Sequence, residues 1–294
     1  MNVSVIIPYY NRKNLLLNTI SCFEKQDYCK DNFELVVIDD GSFDLSECEL
    51  KKFKVNIVCK KFTRSENSCA SFARNKGIEF SSEDLLIFLD CDQLTLPNFI
   101  SEHVDFCKKH DYPIFQIGTR KNLLPYQDIN NLAKVRYYPD FRHRVLSKDY
   151  KENLKGIWHL VWSHNISIER KYLDKYGGFD EKFKCWGLED VELGYRMHKN
   201  GIKILYNKNI ETYHQFHEEL FDANRFNGWK RNLLYFIDKH FDAAVAAQIH
   251  FIDINQPAAL RRLKNQGYSY EDIWFKCYDA FEEALSLFVE EKSG

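Results

Sequence analysis

Five apolar residues, Leu85-Leu86-Ile87-Phe88-Leu89, run without a break and stop at Asp90-Cys91-Asp92. A run apolar at every position, with no alternation, predicts a strand buried on both faces, as in a parallel sheet covered by helices. The pattern recurs at 3–8, stopped by Pro8 and followed by the turn Tyr9-Tyr10-Asn11-Arg12, and at 33–38, followed by Asp39-Asp40-Gly41-Ser42. Residues 55–58 read as a weaker third strand. Between these, Leu15, Leu16, Thr19, Ile20 and Phe23 recur at helical spacing, and 68–80 predicts a helix whose Ala70, Ala73 and Gly77 form a face able to pack close to a sheet. Strand–helix alternation with acidic or polar residues at three successive strand ends predicts a doubly wound nucleotide-binding half, with its ligand in the crevice along those ends.

Beyond Pro97 the spacing predicts a helix to about residue 110 and a strand at 113–118. Residues 120–155 lose periodicity and gain charge. They read as a functional loop, with a pair of helices or a solvated charged surface as the alternatives. A strand at 162–168 and a short helix ended by Gly177-Gly178 follow. Leu188, Val191, Tyr195 and His198 then fall on one helical stripe, which puts Glu189 and Asp190 in that helix's first turn. Acids there also fit a purely structural role at a helix start. Strands are expected at 202–206 and 210–214, and from 218 onward the pattern is helical, including 229–240 and 270–291. The expected organisation is a nucleotide-binding half (1–118), an acceptor-binding half (119–217) and a helical extension (218–294).

Asp90 and Asp92 are two residues apart, so if strand geometry continues they share a side, and two carboxylates so close call for a divalent cation between them. A plain acidic loop is the alternative. No GxGxxG follows the first strand and no GxxxxGK[ST] occurs anywhere, which argues against a dinucleotide oxidoreductase or a P-loop enzyme. The formal net charge of −2 provides no global field for nucleic acid or an acidic membrane. Nine cysteines without a CxxC pair suggest neither a zinc site nor a disulfide framework, and fit the reducing cytoplasm. No transmembrane segment is expected, which leaves peripheral membrane contact open. Oligomeric state is not readable.

Together, residues 3–12, Val37-Ile38-Asp39-Asp40-Gly41-Ser42, Ala73-Arg74-Asn75-Lys76-Gly77, Leu89-Asp90-Cys91-Asp92 and Trp186-Gly187-Leu188-Glu189-Asp190-Val191-Glu192 resemble a GT-A fold glycosyltransferase of family 2. The second half, with Gly177-Gly178-Phe179-Asp180 and Tyr213-His214-Gln215, is similar to bacterial chondroitin-polymerase domains and to the galactosyltransferase carboxyl-terminal domain. The resemblance covers residues 2 to about 217. It implies an α/β GT-A fold, Rossmann-like, with a mixed and mostly parallel sheet flanked by helices. It further implies that Pro8, Tyr9, Tyr10 and Asp39 hold the base of a UDP-sugar, that Arg74 and Asn75 line the donor site, and that Asp90 and Asp92 form the DxD motif for ribose and metal-diphosphate. His214 would complete the metal site, though His217 lies three residues on and also fits. Glu189 and Asp190 would face the acceptor, with Trp186 as a platform for a sugar ring. The QxxRW motif of processive synthases is absent.

A mixed oxygen and imidazole ligand set points to Mn2+, with Mg2+ as the alternative. Asp190 is expected to act as the base of an inverting transfer, because the retaining polypeptide N-acetylgalactosaminyltransferases resemble this chain here but carry asparagine at that position. The acceptor can be a glycan, a lipid-linked saccharide or a peptide. Two other classes compete. A catalytically silent sugar-nucleotide-binding or scaffold protein has no use for a base opposite a metal, and a nucleotidyltransferase wants a glycine-rich basic loop after the first strand, where this chain has Tyr9-Tyr10-Asn11-Arg12.

Overall fold

A computed structural model describes residues 1–65, 69–148, 154–218, 222–251 and 257–290. Expectations that touch Ser68, Asp149, Lys151, Glu152 or Glu291 lie outside the described residues. Seven strands form the main sheet: β1 (Val3–Tyr9), β2 (Phe33–Asp39), β3 (Ile57–Lys61), β4 (Leu85–Leu89), β6 (Ile114–Ile117), β9 (Asn165–Glu169) and β10 (Lys203–Tyr206), in the order β10-β6-β9-β4-β1-β2-β3. All pairs are parallel except those of β9, which runs against both β4 and β6. The mixed, mostly parallel sheet is the expected one. β1 continues one residue past Pro8, on a side where pairing with β4 has already ended at Ile6 and Phe88, so the missing N–H breaks no ladder bond there.

Helices α1 (Lys13–Phe23), α2 (Glu47–Leu50), α3 (Ala70–Phe80) and α4 (Phe99–Lys108) follow successive strands. The uninterrupted apolar runs are buried on both faces, as their composition requires: Leu86 and Phe88 belong to one hydrophobic cluster, and Leu85, Ile87 and Leu89 to the other. α3 lies so close to β1 that a Cβ on Gly77 would sit 2.1 Å from Ile6 Cγ2. Glycine there is a packing requirement.

A second sheet, in the order β5-β11-β7-β8, is built from β5 (Gln93–Leu94), β7 (Arg120–Leu123), β8 (Tyr137–Pro139) and β11 (Thr212–His214). It corrects the reading of 120–155 as a loop, since β7, β8 and the helix α5 (Phe141–Lys148) all fall there. These strands are short, and β7 pairs with a partner some 90 residues away in sequence, so no local periodicity marks them. The third strand begins two residues later than expected. β9 also starts three residues later than expected, at Asn165, which leaves Ser163 and His164 in a turn.

α6 (Arg170–Tyr176) and α7 (Glu189–Lys199) precede β10, and α8 (Ala223–His240) with α9 (Ala243–Ala246) opens the helical extension, which continues through Pro257–Asn265 and Tyr270–Glu290. Trp158 packs edge-on against Phe236 and Phe281, and His159 stacks on Phe251 at 4.8 Å. The extension therefore shares one hydrophobic cluster with the sheet. Among the described residues no helix is long and apolar enough to cross a membrane.

Candidate active site

The carboxyl ends of β1, β2 and β4 open on one crevice, where the strand order turns outward from β1 in both directions. After β1, Asn11 adopts a left-handed conformation (φ 48°), which asparagine tolerates better than most residues. Its N–H donates to Ser42 Oγ and its Oδ1 accepts from the Phe43 N–H, which binds the turn after β1 to the turn after β2. Asp39 is buried, and its Oδ1 accepts from the Ser42 N–H at 2.6 Å. One carboxylate oxygen is thus spent on the turn.

Tyr9 and Tyr10 divide the expected base-holding role unequally. Tyr9 is buried and its hydroxyl donates to Asp44, so its ring belongs to the core. Burial, followed by the Asp44 carboxylate, raises the Tyr9 pKa far above the phenolic range. Tyr10 is 41% exposed at the crevice, with the Arg64 guanidinium 3.8 Å from its ring centroid and ion-paired to Asp40 at 2.8 Å. Pro8 stays within β1. Arg64 was invisible to motif reading, because it lies in a charged stretch with no periodic partner.

β4 ends at Leu89 and residues 90–92 turn, so strand alternation does not carry through and the two aspartates part company. Asp90 Oδ1 accepts from Arg74 Nη2 at 3.1 Å. Asp92 turns toward β11, where the antiparallel pairing of His214 with Gln93 brings the histidine beside it. Among the described residues, Asp92, His214 and His217 form a candidate metal-holding group, their ligand atoms all within 4.8 Å of one another. Asp92 Oδ2 is 3.5 Å from His214 Nε2 and 3.2 Å from His217 Nε2. Ligands about 2.1 Å from one ion and at right angles lie about 3 Å apart, so the set fits a divalent cation with little adjustment. Both histidines, and not one of them, turn inward, and Asp90 stands outside the set.

The ligands are held from behind. Asp92 Oδ1 accepts from Gln93 Nε2 at 2.8 Å, and Gln93 Oε1 accepts from Thr212 Oγ1 at 2.9 Å. Gln215 accepts from Asn18 on α1 and donates to the Leu15 carbonyl, which anchors the segment between the two histidines. Such outer partners set the orientation of ligands. Burial alone would raise the Asp92 pKa, but His214, His217 and Arg12 outweigh it and hold the carboxyl well below its usual range.

Across the crevice, Gly187 (φ 92°) and Leu188 (φ 73°) form a left-handed turn that launches α7. Leu188 is buried, and a non-glycine residue in this conformation costs on the order of 1 kcal/mol or more. The turn places Glu189 and Asp190 in the first helical turn, as the sequence pattern predicts. Arg74 is buried between the two halves, donating from Nη1 to Glu189 Oε1 at 3.0 Å as well as to Asp90. Burial, then the neighbouring Asp190, raises the Glu189 pKa to about 7 against the pull of Arg74. Asp190 is half-buried, and its Oδ2 accepts from the Ser163 N–H (2.9 Å) and Oγ (3.2 Å). Ser163 was missed because the apolar and polar alternation of 162–168 read as strand throughout.

Asn75, expected to line the donor site, bonds to the loop after Gly178. Its amide donates to the Phe179 carbonyl and Glu181, and its Oδ1 accepts from the Phe179 N–H, so it clamps the loop ahead of Trp186. Both polar atoms of Asn75 are thus committed to that loop. Trp186 is 46% exposed, with Arg225 of α8 4.2 Å from its ring centroid. Behind β8, a buried network joins Arg142 to Asp140, to His164 and to the Leu160 carbonyl. Burial and the nearby Arg142 keep His164 neutral, its pKa well below the usual range.

The mixed, mostly parallel sheet flanked by helices, with the candidate metal-holding group and the Glu189–Asp190 pair near its strand ends, is that of a GT-A glycosyltransferase. The chain belongs to glycosyl transferase family 2, whose family model matches residues 4–177. A second model, described as the N-terminal domain of galactosyltransferase, matches 144–219. The chain is 27% identical over 283 residues to the uncharacterized glycosyltransferase YfnE of Bacillus subtilis, covering 82% of this chain and 71% of that protein. It is 27% identical over 242 residues to validoxylamine A glucosyltransferase of Streptomyces hygroscopicus subsp. limoneus (76% of this chain, 53% of that protein). To the chondroitin synthase of Escherichia coli it is 27% identical over 245 residues (74% and 34%). It therefore spans about half, or less, of the latter two relatives.

Among solved structures, S. aureus TarS 1-349 in complex with UDP-GlcNAc superposes with a TM-score of 0.65 at 17% identity, covering 97% of this chain and 82% of that one. The mannosyltransferase PcManGT from Pyrobaculum calidifontis, in complex with GDP-Man and Mn2+, gives 0.61 at 16% identity, covering 97% and 86%. These two likenesses speak to the fold.

Proposed function

We propose that this chain is a metal-dependent, inverting glycosyltransferase that moves a sugar from a UDP-sugar to an acceptor hydroxyl of a glycan, a lipid-linked saccharide or a peptide. The observation that carries the reading is that two charge sets are tied together at the strand ends: Asp92, His214 and His217 form one, Glu189 and Asp190 at the start of α7 the other, and Arg74 bridges Glu189 to Asp90 beside the first.

Asp92, His214 and His217 would hold Mn2+, whose bound charge offsets the negative charge that grows on a departing diphosphate. Tyr10 and Asp39 would seat the uracil, the exposed ring by stacking and the free carboxylate oxygen by accepting a hydrogen bond. Asp190, oriented by Ser163 and favoured as an anion by the α7 N-terminus, would take the acceptor hydroxyl proton as that oxygen attacks the anomeric carbon from the face opposite UDP. The acceptor–carbon bond forms as the carbon–phosphate-oxygen bond breaks, UDP leaves with the electron pair, and the configuration inverts. UDP is taken as the donor nucleotide because the TarS neighbour is in complex with UDP-GlcNAc, and GDP-mannose is kept in the screen because PcManGT holds it.

The test is a screen of UDP-sugars and GDP-mannose for turnover with Mn2+, followed by acceptor arrays with the best donor. Asp190→Asn should lower kcat by at least ~10² while leaving UDP affinity nearly unchanged, as for an interaction made mainly in the transition state. An NMR spectrum of the product showing the donor's own anomeric configuration overturns the inverting mechanism. Full activity in Asp190→Asn passes the role to Glu189, and no turnover or hydrolysis of any sugar nucleotide favours a silent binding protein.

A further inference from the structure

The guanidinium of Arg12 lies inside the candidate metal set. Its Nη1 is 2.9 Å from Asp92 Oδ2 and 2.8 Å from His217 Nε2, so one nitrogen spans two of the three ligand atoms, in the space a cation between them takes. His217 Nδ1 lies 3.3 Å from the Glu218 carbonyl, and its Nε2 faces both Arg12 Nη1 and Asp92 Oδ2 (3.2 Å), so the nitrogen that would bind a metal is the one the guanidinium now touches. Arg12 stands on the turn between β1 and α1, and its side chain is 41% exposed, so the guanidinium can swing out without opening the core.

We propose that Arg12 is a displaceable counter-charge: it holds Asp92 and His217 in place before the donor arrives, and yields the site to the metal when a nucleoside diphosphate enters and takes the guanidinium onto its phosphate oxygens. This rests on the metal reading given above. The anionic diphosphate draws a guanidinium well, since the planar fork of arginine matches phosphate oxygens. The metal and the nucleotide each relieve the other's obstacle. Arg12 therefore couples their binding, beyond the coupling that direct metal–phosphate contact supplies.

The experiment titrates Mn2+ into the full chain by the EPR signal of the free ion, with and without UDP, and titrates UDP into the metal-free chain by calorimetry. Arg12→Met and Arg12→Lys are compared with the unaltered protein. Without nucleotide, Arg12→Met should bind Mn2+ about five- to tenfold more tightly, the low end of typical coupling between sites. Arg12→Lys, which keeps a charge but not the fork, should fall between the two. With UDP present the Mn2+ difference should shrink to within about twofold, and metal-free UDP should bind Arg12→Met more weakly. A generally damaged fold would weaken both ligands, a pattern opposite in sign for the metal. Equal or weaker Mn2+ binding by both variants without UDP overturns the proposal. If His214→Ala/His217→Ala binds Mn2+ as well as the unaltered chain, the metal reading fails and Arg12's role falls with it. Loss of Mn2+ in that double variant, with Arg12→Met unchanged, sinks the Arg12 proposal alone.

Discussion

Asp92 has both carboxylate oxygens committed, Oδ1 to Gln93 and Oδ2 to the histidines and Arg12, whereas Asp39 has spent only Oδ1, on the Ser42 N–H. The two aspartates should therefore fail differently. Asp39→Ala should weaken UDP binding with or without Mn2+, on the order of 1–3 kcal/mol for a lost hydrogen bond to a charged group. Asp92→Ala should weaken it only when Mn2+ is present, and equal losses for both variants under both conditions, measured by calorimetry, would reject the division. Glu189 carries a pH signature of its own. Its folded pKa, raised to about 7 chiefly by burial, exceeds that of an unfolded glutamate near 4.5, so the folded state binds the extra proton between those values. Stability from this group is fully present below pH 4.5 and declines as pH rises to about 7, by an amount on the order of 1–3 kcal/mol. Glu189→Gln has no such proton to lose. Urea unfolding at pH 5 and pH 7.5 should show a steeper loss in the unaltered chain than in the variant, and parallel losses would contradict the assignment.

At the scale of elements, α7 is fixed by what it buries. Glu192, fully buried two residues after Asp190, accepts from Arg196 Nε and Nη2 on its own helix and from Lys239 and His240 on α8. Burial alone would raise its pKa, yet His240, Arg196 and Lys239 together depress it far below the ordinary carboxylate range. A depressed pKa contributes stability that is present above about pH 4.5 and is lost as pH falls below it. Glu192→Gln should leave the partly exposed Arg196 and His240 without their counter-charge and cost on the order of 1–3 kcal/mol. Because α7 also carries Glu189 and Asp190, the variant should lose activity at temperatures where it is still folded, which a thermal melt read beside an activity profile checks. The start of α7 was legible from the stripe Leu188, Val191, Tyr195, together with the acids beside it. The buried runs of β1, β2 and β4 were legible for a similar reason, since full burial writes itself into every position. β5, β7 and β8 were not, because strands of two to four residues take their stability from partners far along the chain. Ser163 and Arg64 act through contacts made only after folding, and neither belongs to a periodic pattern.

For the molecule as a whole, the helical extension reads in the sequence as a separate appendage after residue 217, but its apolar faces complete the core beneath α7. Trp229, Leu233 and Phe236 of α8, Phe251, and Phe281 and Leu285 of the last helix lie in the same cluster as Trp158, Phe183 and Tyr195. Polar ties reinforce the junction: the Gly156 N–H donates to Glu282 Oε1 at 2.7 Å, and Arg144 pairs with Asp272 at 2.9 Å. Burying a large apolar side chain is worth roughly 1.5–3 kcal/mol, so those six residues of the extension account for roughly 9–18 kcal/mol of gross burial. That is comparable with the whole net stability of a domain, about 5–15 kcal/mol. A chain ending at residue 218 retains Asp92, His214, His217, Glu189 and Asp190, yet it should not fold to a stable monomer. Expressed alone, it should aggregate or bind a hydrophobic dye such as ANS strongly, and lose cooperative thermal unfolding. Co-expressing residues 219–294 as a separate piece should restore at least part of the cooperative transition, because what is missing is a packing surface and not chemistry. A 1–218 chain that melts cooperatively and binds UDP with Mn2+ like the full chain would show instead that the extension is dispensable to the fold.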